Sequence, residues 1–163
     1  MTNTTKSTIF AAMFATLLIP GFANTLNAQD RCSTASLQGS YAFHVSGTNV
    51  SNQNLPPGPF AAVGKNTYDG RGHMSGVMVV SAGGGMITSN YTGTYTLNAD
   101  CTGTKSASLD IGLTVGFSFV MDDDLREIRM IATGAAPSGT QLQQGVTVSG
   151  TARQLTTGSK DRD

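Results

Sequence analysis

The residues of this sequence whose types could do chemistry are few: Cys32 and Cys101, His44 and His73, the run Asp122-Asp123-Asp124, and the carboxylates Asp110 and Glu127. A reactive thiolate needs an activating base or cation beside it, and a metal-binding cysteine pair needs CxxC-type spacing. Cys101 sits in TGTYTLNADCTG, which supplies neither. Paired with each other, the cysteines close a loop that removes roughly 4 kcal/mol of unfolded-chain entropy. A Cys32–Cys101 disulfide fastening a corner between two strands is therefore expected. In that corner Tyr95 and Leu97 would bury as the strand ends, and Asn98 and Asp100 would cap the turn.

The other groups assemble no site. A zinc centre needs a third ligand beyond His44 and His73, and His73 adjoins the turn Asp69-Gly70-Arg71-Gly72, where an exposed ring is the simpler reading. The three aspartates lack the alternating spacing and following glutamate of a calcium loop and read as a solvated hairpin tip. Glu127, the one glutamate, could share acid–base work with Asp110 only if the fold brought them together. No Gly-x-Ser-x-Gly elbow is present. No catalytic residue, metal or cofactor is assigned, and a non-enzymatic role is expected.

The chain opens MTNTTKSTIFAAMFATLLIPGFANTLNAQD, with Lys6 ahead of an apolar run from Ile9 to Ile19 and a Pro20-Gly21 break. That run falls short of the roughly 20 residues that span a bilayer, so 1–28 reads as a cleaved export signal with the cut after Ala28, or after Ala23. The expected location is secreted or periplasmic, with no lasting membrane anchor. Residues 29–163 then form one domain with a single core, 156–163 being a flexible tail. Without Lys6, nine Lys and Arg stand against ten Asp and Glu, so no basic field invites nucleic acid. Polarity is carried by Thr, Ser, Asn and Gly, as in exported β proteins. Oligomeric state is not legible.

Period-two patterns broken by turn residues run the length of this domain. Strands are expected at Leu37–Ser46, Phe60–Tyr68, His73–Ser81, Met86–Leu97, Thr104–Ile111, Leu113–Met121, Leu125–Thr133 and Leu142–Gln154. Their connections are the long Thr48–Pro59 loop, DGRG at 69–72, AGGG at 82–85, the 98–103 corner, DDD at 122–124 and GAAPSG at 134–139. Glycines within strands, at 64, 76, 93, 116 and 150, suit bends and bulges. The fold class is all-β: an eight-stranded antiparallel up-and-down barrel, whose closure removes sheet edges, with a β-sandwich as the alternative.

CSTASLQGSYAFHVSG at 32–47, YDGRGHMSG at 68–76 and TGTYTLNADCTGT at 92–104, in that order, resemble blocks of small exported bacterial proteins of unknown function. The resemblance spans about residues 31–154 and implies a calycin-like or allene-oxide-cyclase-like barrel; no catalytic residue transfers with it.

An eight-stranded barrel is wide enough to be filled by side chains or to hold one small ligand. Tyr41, Phe43, Tyr91, Tyr95, Phe117 and Phe119 fall on the interior phase and are the ligand-binding candidates. Met74, Met78, Met86, Met121 and Met130 are adaptable side chains of the kind that line apolar cavities. The leading expectation is a barrel that binds a small apolar ligand, admitted at the end carrying the 48–59 loop. A structural or interaction module of the cell envelope is the alternative, and a cyclase-like enzyme, which would need a carboxylate or tyrosine in a roomy cavity, comes third.

Overall fold

The computed structural model describes residues 32–122 and 124–156. The expected export signal, Asp123 and the tail beyond residue 156 lie outside the described residues. Alternation of apolar and polar residues produces eight strands: β1 (Gln38–Asn49), β2 (Gly58–Asp69), β3 (His73–Ala82), β4 (Gly85–Leu97), β5 (Thr102–Leu109), β6 (Leu113–Met121), β7 (Glu127–Pro137) and β8 (Val146–Gln154). Each pairs antiparallel with the next, and β8 returns to β1, with Tyr41 opposite Gln154 and Asn49 opposite Val146. The barrel is closed, which excludes the sandwich. β4 shows the governing pattern: Ser89, Tyr91, Tyr95 and Leu97 are buried, while Thr88, Asn90, Thr92, Thr94 and Thr96 face water.

Several strand boundaries differ from expectation: β1 runs on to Asn49 and β2 begins at Gly58, shortening the expected 48–59 loop at both ends, and β5 begins at Thr102 and β7 at Glu127. GAAPSG does not leave the sheet at Gly134: β7 continues to Pro137, and Ala135 and Ala136 are buried. A bulge makes this possible, since Phe117 opposes Ala132 but Gly116 opposes Gly134, so that Thr133 is the extra residue and the register resumes beyond it. β8 starts at Val146, four residues later than its pattern suggests, because the preceding segment is occupied elsewhere: Gln143 bridges Ala135, and the Gly145 carbonyl accepts from the N–H groups of Val50 and Ser51. Gly145 has φ +100, and a Cβ there would stand 2.5 Å from Ser51 Oγ. β5 ends at Leu109, and the Gly112 N–H bonds the Leu109 carbonyl to turn the chain.

Among the in-strand glycines, Gly116 adjoins the bulge as expected. Gly76 instead makes room for a side chain, because a Cβ there would overlap both the Lys65 carbonyl oxygen and the Tyr91 hydroxyl; its absence lets the tyrosine lie across β3.

One end of the barrel is plugged. Tyr68 stacks edge-on against Tyr41 and Tyr95 at centroid distances of 5.5 and 5.1 Å. The Tyr41 hydroxyl donates to the Leu125 carbonyl at 2.9 Å, and that of Tyr95 to the Leu37 carbonyl at 2.8 Å. At this same end Cys32 and Cys101 are joined, their Cα atoms 5.1 Å apart. Cys101 takes φ 65, and Asp100 Oδ1 accepts from the Thr102 N–H at 3.0 Å, as a capped corner requires. The Asn98 side chain does not cap a backbone N–H but donates to the Thr102 hydroxyl. The aspartate tip is likewise a turn device: Asp122 Oδ1 accepts from the N–H groups of Arg126 and Glu127.

Candidate functional site

At the opposite end, where the β1–β2, β3–β4, β5–β6 and β7–β8 connections gather, the interior opens into a cavity of about 360 Å³. Its shape follows from the strands. Small or slender side chains, Ala62 on β2, Val80 on β3, Val115 on β6, Ala132 on β7 and Val148 on β8, stand where the plugged end carries tyrosines. Phe117 and Met78 form its deeper wall, and Leu55 and Pro56 of the β1–β2 loop contribute to its lining at the mouth. Among the described residues, no carboxylate, histidine or tyrosine lines it. Val50, Met86, Ile87, Ile111 and Leu142, all on mouth-end elements, are exposed, giving that end an apolar rim.

The loop at the mouth is held firmly. Asn49 Nδ2 donates to the carbonyls of Asn52, Leu55 and Pro56, and Asn49 Oδ1 accepts from the Asn52 N–H. The buried Asn52 amide crosses to β7 and the β7–β8 connection and donates to the carbonyls of Ala135 and Gln143 at 2.9 and 2.7 Å. Replacing Asn52 by Ala would strand those acceptors, and we expect a loss of about 2 to 3 kcal/mol in urea unfolding.

Below the cavity lies a second, smaller void of about 40 Å³, which shares Met78, Val115 and Phe117 as walls. It is polar on one side. Lys105 of β5 points into the barrel with 6 % of its surface exposed; its Nζ reaches the Tyr68 hydroxyl at 3.3 Å and sits 5.3 Å from the centre of the Phe117 ring. Burial holds this ammonium far below the ordinary lysine range, at about 7. The Tyr91 hydroxyl donates to Asn66 Oδ1, and Asn66 Nδ2 is buried with no hydrogen-bond partner among the described residues. Burial also pushes the Tyr68 and Tyr91 hydroxyls well above the usual tyrosine range, so both are neutral donors at any physiological pH.

The six aromatic candidates divide between these regions. Phe117 lines both the cavity and the inner void; Phe43 and Tyr91 line the inner void alone. Tyr41, Tyr95 and Phe119 lie outside both and belong to the packed core, the two tyrosines within the plug. Of the methionines, Met78 lines both spaces, Met74 and Met130 the inner void, Met121 is in the core, and Met86 is 76 % exposed. Met86 has the parity of the outward residues of β4, which is why it lines no cavity. Asp110 and Glu127 are at opposite ends: Asp110, at the mouth, accepts from Ser89 Oγ at 2.5 Å, and Glu127 pairs with Arg129 and Arg153. His73 is exposed, 3.4 Å from Asp69.

Lys105, the most unusual group inside the barrel, is absent from the sequence-based candidates. Its signal is parity: Gly103, Lys105, Ala107 and Leu109 share the inward phase of β5, and a lysine among small and apolar residues is out of place there.

No family model and no curated protein matches the chain. Among solved structures the chain is similar to a de novo designed fluorescence-activating β-barrel, at 10 % identity and TM-score 0.49 over 75 % of this chain and 96 % of that one. It is also similar to the barrel EF1p2_mFAP2b bound to DFHBI, at 11 % identity and TM-score 0.50 over 78 % of this chain and 99 % of that one. At that identity the second likeness speaks to the fold alone; the eight-stranded antiparallel barrel is this chain's own topology.

Proposed function

We propose that this chain is an exported, calycin-like barrel, secreted or periplasmic, that binds a small and largely apolar ligand in the cavity at its mouth. The observation that carries the reading is the asymmetry of the interior: tyrosines plug one end, whereas small aliphatic residues leave about 360 Å³ beside an apolar rim at the other. A space of that size accepts a ligand of about a dozen or more heavy atoms in a setting where burial of apolar surface gives roughly 25 cal/mol per Å². The barrel EF1p2_mFAP2b, of similar path, is bound to DFHBI, which illustrates that this architecture can host a small molecule. The disulfide agrees with an oxidising compartment.

Displacement of an apolar fluorescent dye, alongside native mass spectrometry of gently purified protein, tests the reading. Wild-type protein is expected to take up the dye at one site per chain. Ala62→Phe, which fills the cavity from β2, should weaken uptake at least tenfold with the circular dichroism of the barrel retained. Absence of dye uptake and of any co-purified ligand would overturn the reading and favour an envelope interaction module.

A further inference from the structure

The inner void poses a question that an apolar pocket does not answer. Lys105 is a buried cation-forming group for which the described residues of the barrel interior supply no carboxylate; its one hydrogen-bond partner is the Tyr68 hydroxyl. Asn66 Nδ2, a second buried donor lining the same void, has no partner among the described residues. Two buried donors with unused capacity are costly to fold, and the complementary occupant is a group that only accepts hydrogen bonds and carries negative charge. About 40 Å³ is room for roughly three heavy atoms, the size of a carboxylate. The wall between this void and the apolar cavity is made by Met78, Val115 and Phe117, and the flexible thioether of Met78 is its adaptable part.

We propose that Lys105 and Asn66 form a receptor for the carboxylate of an apolar-tailed acid, whose tail fills the cavity at the mouth while its head passes beyond Phe117 to the inner void. This inference rests on the ligand-binding reading above and names the class of ligand. The carboxylate supplies the counter-charge that Lys105 lacks and accepts from the Lys105 ammonium and from Asn66 Nδ2. Binding is then linked to protonation. In the free protein burial leaves the ammonium at about 7, and the bound anion favours its charged form. The other titratable groups facing Lys105 are Tyr68 on β2 and Tyr91 on β4, both kept neutral by burial; the side chains that line the void from β1, β3, β6 and β7 are apolar.

Sodium decanoate and 1-decanol, matched in tail length, are the probes, each measured by dye displacement and calorimetry on the full barrel. Decanoate is expected to bind at least tenfold more tightly than decanol at pH 6.5, with affinity falling close to tenfold per pH unit between pH 7.5 and 9.5 and with up to one proton taken up per decanoate at pH 8. Decanol affinity should be flat over that range. In Lys105→Met, whose apolar side chain suits the interior, the preference for decanoate should disappear. Decanol binding as tightly as decanoate, or a preference that survives in Lys105→Met, would overturn the receptor and leave the apolar site standing. Binding of neither probe would overturn the ligand-binding reading itself.

Discussion

Replacing Lys105 by Met is expected to make the protein more stable, by about 2 to 4 kcal/mol at pH 7 and below, although most substitutions in a packed interior destabilise. The reason is the mismatch between the two states of the chain. Unfolded, the lysine titrates near its ordinary value of about 10.5; folded, burial holds it at about 7. Between these values the unfolded chain binds the proton that the folded chain declines, so native stability rises as pH increases from 7 towards 10. Above about pH 10 the sign reverses, because Tyr68 and Tyr91 keep their protons in the fold while the unfolded chain gives them up. Lys105→Met should show a flat profile between pH 7 and 9.5 and the same decline beyond it. Urea unfolding at five pH values from 6 to 11 measures this. A destabilised variant, or a wild-type profile with no rise, would contradict the burial argument.

The second large effect lies at the plugged end. Cys101→Ser is expected to lower stability by about 2 to 5 kcal/mol, since it frees a loop between residues 69 apart in sequence. Because the bridge sits across the barrel from the cavity, the folded fraction should bind an apolar dye as the parent does. Thiol titration of the unfolded, unreduced protein should find no free thiol among Cys32 and Cys101. Two free thiols per chain would refute the bridge, and a change in dye affinity would show that the two ends communicate.

Much of the barrel is legible because closed antiparallel sheets write their inward faces as strict alternation. Leu113 to Met121 carries the pattern in pure form, and β6 has those limits. The failures cluster where local chemistry and tertiary pairing disagree. Gly134 to Gly139 has the composition of a loop, yet Ala135 and Ala136 are drawn into the sheet by pairing with β6 after a bulge that one strand's pattern does not reveal. The division of the interior is also hidden, for alternation says that Tyr95 and Phe117 both point inward but not at which height along the barrel axis. That height depends on register between strands, and it separates the plug from the cavity. Lys105 escapes notice because lysine is read as a surface residue; its parity on β5 outranks its type.

Closure by the first and last strands has a kinetic meaning. Tyr41 must find Gln154 across nearly the whole described chain, the most distant pairing in the barrel, so the seam is a late and slow step of assembly. Until β8 arrives, β1 and β7 present open edges that could recruit strands from other molecules. The Cys32–Cys101 tether encloses only β1 to β4 and can be formed before the last strand is made, leaving the half that must still search for its partner unconstrained. A chain of this design is therefore most vulnerable to aggregation while β8 is still unpaired, and least vulnerable the moment that strand docks.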